Sequence, residues 1–264
     1  MKWSTLTLTL FLISFLAQAQ PDVLPYSLTI GNGEFVTFDG TSTQVNVWVN
    51  NGSKERVQLS DASVLDLIDT ENNVRLSDEV KKIKQAYLEE NARLRAQGTF
   101  RMNSNMDPSQ PPIDVSLEGM AEDTTGFVFK AFCVAPPPKG CTALQLKGTV
   151  VYTIPSEKTE EMMVEVSNMY SLGPESEGMV LPGGDTLRFE QRRSYEEGYE
   201  NFSAQLSGYK VDAIGTKANP GTYNGLEITP EEADNPLTVI ISGRKLITRK
   251  LPIDESITLG VGYE

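Results

Sequence analysis

The chain has 264 residues, no histidine, and a net charge of −13 from 36 acids against 23 lysines and arginines. Such an acidic balance excludes an electrostatic surface for nucleic acid or anionic lipid. Without histidine there is no Ser-His-Asp or Cys-His nucleophile system, and the commonest ligand of zinc, copper and iron is missing.

Lys2, the apolar run Leu6 to Leu16 and the small-x-small triplet Ala17-Gln18-Ala19 have the order of a signal peptide. The apolar run is short of the roughly 20 residues of a spanning helix, so cleavage is expected after Ala19. Removing a leader with one lysine and no acid takes the charge from −13 to −14. The expected product is secreted, or periplasmic or extracellular, with no membrane-spanning segment and no nucleic-acid partner.

No G-x-S-x-G elbow, phosphate-binding glycine loop, dinucleotide turn or D-x-[DN]-x-[DN]-G calcium loop occurs in the chain. The expectation is therefore no catalytic residue of a familiar type, no metal and no cofactor. Carboxylate-pair catalysis of the glycosidase kind, or hard-cation binding by Asp and Glu, is the chemistry left open.

Val45, Val47 and Val49 alternate with Gln44, Asn46, Trp48 and Asn50, the pattern of a half-buried strand. Asn51-Gly52 is a turn pair, expected to reverse this strand into Arg56 to Leu59 as a hairpin. Alternation puts Trp48 on the polar face, either as a stacking platform for a sugar or partner, or covered by a neighbouring element. A helix is expected over Asp78 to Gln97, with Ser77 as N-cap and Gly98 as stop. Its apolar stripe is Val80, Ile83, Tyr87 and Leu94, while Lys81, Lys82 and Lys84 fall on the solvent side.

Beyond the helix, four blocks recur in order. Thr99 to Met102 resembles Thr186 to Phe189; Leu117-x-Gly119 and Asp123-x-x-Gly126 resemble Leu206-x-Gly208 and Asp212-x-x-Gly215. Gly148 before Val150 to Ile154 resembles Gly243 before Leu246-Ile247, and Leu172-Gly173 resembles Leu259-Gly260. The Asp-x-x-Gly blocks read as type I turns, which makes Asp123 and Asp212 turn formers. Copies of roughly 85 residues with frequent turn signals suit immunoglobulin-like β-sandwiches.

Cys133 and Cys141 flank Pro136 to Pro138 and Gly140, a stiff turn expected to bring them together as a disulfide. Tyr195 to Phe202 sets aromatics among carboxylates, so Tyr195 and Tyr199 join Trp48 as candidate binding residues. Glu231, Glu232 and Asp234 read as an acidic solvated tip.

The expected architecture is mainly β: tandem immunoglobulin-like β-sandwich domains with one amphipathic helix in the N-terminal part. The segments are a leader (1–19), an N-terminal β-rich region (20–98, helix 78–97) and two sandwich copies (99–180 and 185–264). The functional expectation is an exported, non-catalytic binding, adhesion or envelope-scaffold protein whose partner is a protein or glycan at the envelope or outside the cell. A carboxylate-dependent glycan hydrolase and a strand-exchanging assembly subunit are the alternatives.

Overall fold

A computed structural model describes residues 22–32, 41–99, 106–119, 125–194 and 196–259. The leader expected over residues 1–19, Asp123 and Tyr195 lie outside the described residues. The protein is mainly β. Among the described residues three antiparallel sheets form, and their strands begin with β1 (Asp22–Asn32), β2 (Thr41–Asn50), β3 (Gln58–Leu59), β4 (Val64–Asp69), β5 (Val74–Arg75), β6 (Asp114–Gly119) and β7 (Phe127–Cys133). They continue through β8 (Ala143–Val166), β9 (Met179–Val180), β10 (Thr186–Arg192), β11 (Glu200–Leu206), β12 (Tyr209–Thr216), β13 (Leu226–Ile228) and β14 (Leu237–Thr258). The helices are α1 (Leu76–Ala96) and α2 (Pro230–Asp234).

Two strands organise the whole. β8 has 24 residues and β14 has 22, and they pair antiparallel from Ala143↔Thr258 to Val166↔Leu237. At about 3.3 Å per residue such a ribbon runs on the order of 70 to 80 Å. Even residues of β8 and odd residues of β14 turn inward at both ends: Leu144, Leu146, Leu251 and Ile253 at one, Val164, Val166, Val239 and Ile241 at the other. Each end carries its own core. The sheet β1-β2-β7-β6 covers the first end with Val45, Val47, Val49, Phe127 and Phe129. The sheet β13-β11-β10-β9 covers the second with Leu187, Phe189, Phe202 and Leu226. The expected β-sandwich packing is present at this level.

The strand path is traced twice. β1 and β2 form an antiparallel pair, β4 joins the ribbon beside β8, β7 returns to β2, and β8 follows. β10 and β11 pair in the same way, β12 joins the ribbon beside β14, β13 returns to β11, and β14 follows. The Gly148 and Gly243 match fits this path, since each sits mid-ribbon between two neighbours. At Gly148, where φ is +148°, a Cβ would lie 2.1 Å from the Val64 carbonyl oxygen; at Gly243 it would lie 2.9 Å from that of Lys210. Of the other matches, the Leu-x-Gly one does not fit, while those at Thr99 to Met102, Asp123 and Gly260 reach outside the described residues. Leu117 to Gly119 ends the edge strand β6, whereas Leu206 to Gly208 is the turn from β11 into β12. Asp212 is no turn former either: it lies inside β12 and its carboxylate holds Arg244.

The 44–59 hairpin is replaced by an arch. Gly52 does turn, at φ +73°, but both edges of β2 are taken, by β1 and by β7. With no edge left, Gln58–Leu59 crosses to the other sheet and pairs with Tyr152 and Thr153 of β8.

The disulfide is also corrected: Cys133 and Cys141 are free thiols, both buried. Cys133 ends β7 in one sheet, and Cys141 stands just before β8 in the other. Stacked sheets lie about 10 Å apart, and a disulfide wants its Cα atoms about 5.5 to 6 Å apart. The turn forms at Pro138 to Cys141, where Gly140 has φ +82° and the Cys141 N–H donates to the Pro138 carbonyl at 3.1 Å, but it leads from a strand of one sheet to a strand of the other and not between paired neighbours. The Cys133 thiol donates to the Ala135 carbonyl and the Cys141 thiol to that of Ala143. Burial pushes both up to about 11, which keeps them in the unreactive thiol form.

Helix α1 starts two residues earlier than its sequence signals. Ser77 is not its N-cap. Asp66 on β4 accepts from the Ser77 N–H at 3.1 Å and its hydroxyl at 2.7 Å, and is paired with Arg75 at 2.7 Å. At the other end Gly98, at φ +78°, and Thr99 return their N–H groups to Arg95 and Leu94. Val80 and Tyr87 face the first core as expected, Leu76 joins them, and Lys84 is buried with them. Its ammonium donates to the carbonyls of Asp107 at 2.8 Å and Gln110 at 3.1 Å, anchoring the segment that leads to β6. Burial lowers its pKa.

Candidate binding surfaces

The alternation of β2 that buries three valines presents Trp48 on the opposite face of the sheet, half-buried. Its cross-strand neighbours are Leu24 of β1 and Val128 of β7. Leu24 and Tyr26 are each 54% exposed, Tyr26 at the bulge where the β1 register shifts between Pro25 and Ser27. In the next row Asn46 donates to the Ser27 hydroxyl at 2.9 Å and accepts from Gln44 at 3.2 Å, beside Lys130, which pairs with Glu118 at 2.7 Å. An indole flanked by aliphatic carbons therefore lies next to a strip of amides, a hydroxyl and an ion pair. Such a face can stack on an apolar ring surface and exchange hydrogen bonds along one edge.

Tyr199 lies in the other module, 43% exposed, at the mouth of a cavity of about 710 Å³. Thr216 at the end of β12, Lys217 after it, Glu227 of β13 and the start of α2 line it. Phe202, three residues on, is in the core, stacked edge-on against Tyr170 at 5.6 Å. The acidic tip at 231–234 is the helix α2, closed by a capping box. Glu232 accepts from the Thr229 N–H at 2.9 Å and gives its own N–H to the Thr229 hydroxyl at 3.3 Å. The bonds that the Thr229 N–H and hydroxyl donate to it hold the Glu232 carboxyl below its ordinary range. Trp48 and Tyr199 thus belong to different sandwiches and make no common site.

The strongest ionic cluster joins residues that no local pattern connects. Arg244 of β14 donates twice to Asp212 of β12, at 2.8 and 2.9 Å, and once to Glu55 of the 51–57 arch, at 2.7 Å. Lys210 adds a bond to Glu55 at 2.8 Å. Hydrogen bonds from Arg244 and Lys210 hold the Glu55 carboxyl down to about 2, and Asp212 and Glu55 raise the guanidinium further. Asp69, fully buried, is lowered too: burial alone would raise it, but bonds from Asn72 and the Glu71 N–H outweigh that. Each of these shifts favours the carboxylate, so these acids act as structural anions.

Among the described residues no helix is long and apolar enough to cross a membrane, and no group of three or more metal-binding side chains converges. Set beside known family models, curated proteins and solved structures, the chain matches none of them.

Proposed function

We propose that the chain is an exported, non-catalytic binding and scaffold protein, working outside the cytosol, and that its Trp48 face takes a glycan. The observation that carries this is the placement of Trp48 between Leu24 and Val128 with the Gln44, Asn46 and Ser27 strip alongside. Stacking of a sugar's apolar face on an indole and hydrogen bonds to its hydroxyls need that pairing of surfaces. The strand path traced twice along one ribbon supports reading the chain as two copies of one sandwich plan, held as a rigid spacer. Glu55 is held as an anion by Arg244 and Lys210, whereas a glycosidase acid needs its proton near neutrality.

The test is a polysaccharide panel read both for binding and for release of reducing ends. Binding without release, weakened about tenfold or more by Trp48→Ala with the melting temperature little changed, is the expected result. Reducing ends released by the protein, or binding indifferent to Trp48→Ala, would remove the proposal.

A further inference from the structure

The second sandwich is open along one flank. Neighbours β4 and β3 cover the outer edge of β8 only at residues 144–149 and 152–153. From Pro155 onward β8 pairs with β14 alone among the described residues, so Thr159 to Val166 is a free sheet edge. Proline here fits an edge position, where no ladder bond is owed on that side. Across the gap the facing sheet ends in the two-residue strand β9.

Between the two edges is a cleft of about 530 Å³, floored by Met162, Val164, Met179 and Leu181. Its lips are apolar as well: Met163 is 73% exposed and Val180 69%. Carboxylates edge the cleft. Glu160 is held by the Tyr209 hydroxyl at 2.9 Å and pairs with Lys158 at 3.9 Å, while Glu165, and Glu161 on the exposed face of the same strand, have no ion pair among the described residues. Natural edges are blunted by lysine, proline, bulges or covering loops; Pro155, Lys158 and the register shift opposite Arg244 and Leu246 stand just before this run, which itself holds glutamates and the exposed Met163 but no lysine, proline or bulge.

We infer that this edge accepts an extended segment of another protein, in which apolar residues alternate with lysine or arginine, as an added strand beside β8. Backbone groups of Thr159 to Val166 would pair with the incoming strand, its apolar side chains would settle on Met162 and Val164, and its cations would meet Glu161 and Glu165. Charge selects this occupant over a second copy of the chain. Self-pairing would gather Glu160, Glu161 and Glu165 of two copies on one short edge. Antiparallel pairing about Met162 and Met163 sets Glu160 against Glu165 at both ends, and pairing about Met163 sets Glu161 against Glu165. Pairing about Met162 leaves the glutamates of the two copies diagonal to one another, and parallel pairing in register sets each glutamate near itself. This surface is independent of the Trp48 face and lies in the other module.

The experiment uses the full chain and four synthetic octapeptides. One alternates valine with lysine, one valine with glutamate, one serine with lysine, and one repeats the valine-lysine peptide with alternate backbone N-methylation. Fluorescence anisotropy is expected to show binding of the valine-lysine peptide and binding about tenfold or more weaker for the other three. Met163→Lys and Val180→Lys, both at exposed positions, should weaken the valine-lysine peptide by a similar factor while Trp48→Ala leaves it unchanged. Equal binding of the serine-lysine peptide, indifference to N-methylation or to Met163→Lys, or no binding of any peptide would overturn the inference. So would a dimer in sedimentation that Met163→Lys dissolves.

Discussion

Arg244 and Glu55 stand 189 residues apart in sequence and meet at 2.7 Å, which ties the arch leaving β2 to the far strand of the ribbon. The contact falls where the β14 register shifts between Arg244 and Leu246, at the joint between the two cores. Replacing Arg244 by alanine would leave Glu55 and Asp212 facing each other with only Lys210 between them. A loss of about 1 to 3 kcal/mol in urea unfolding is expected, since the group is mostly buried. A change below about 0.3 kcal/mol would show the cluster to be ornamental.

The same cluster gives a pH dependence. Glu55 is held near 2 when folded against an ordinary 4.5, so its contribution to stability is present above about pH 4.5 and disappears as pH falls toward 2. Unfolding titrations should show the wild type losing stability across that window more steeply than Arg244→Ala. Parallel curves for the two proteins would contradict the assignment.

Two thiols per chain are expected on unfolding in the absence of reductant, and slow reaction of both in the folded protein at pH 8, because burial holds each near 11. Titration finding none after unfolding would mean that Cys133 and Cys141 are bridged.

Asp66 accepts from the Ser77 N–H, the Ser77 hydroxyl, Arg75 and the Leu67 N–H. Asp66→Ala removes a cap supplied by a strand, and a loss of about 2 to 3 kcal/mol is expected, with helical circular dichroism falling before the β signal on heating. Ser77→Ala, which keeps the backbone donor, should cost about 1 kcal/mol. Equal costs would place the cap at Ser77.

Lys84→Ala removes the ammonium that gathers the carbonyls of Asp107 and Gln110, and about 1 to 2 kcal/mol of stability should go with it. Amide exchange is expected to rise first at residues 113–119, where the anchored segment feeds β6. Exchange unchanged there would show that β7 alone holds that strand.

Local pattern was enough for the elements whose causes are local. Val45, Val47 and Val49 must share a face in any strand, Gly98 ends a helix wherever one precedes it, and a chain without histidine lacks imidazole chemistry in every fold. Trp48 was legible as an outward residue for the same reason. Tertiary structure alone decided the rest, because each outcome depended on competition between distant segments. β1 and β7 occupy both edges of β2, so the arch at Gly52 crosses to the other sheet, and Cys133 ends a strand of one sheet while Cys141 precedes a strand of the other. Lys84 is drawn inward by carbonyls more than 20 residues away, and Asp212 leaves its expected turn for a strand facing Arg244. The free edge of β8 is of the same kind: a sequence shows that a strand exists, but an edge is defined only by which strands fail to reach it.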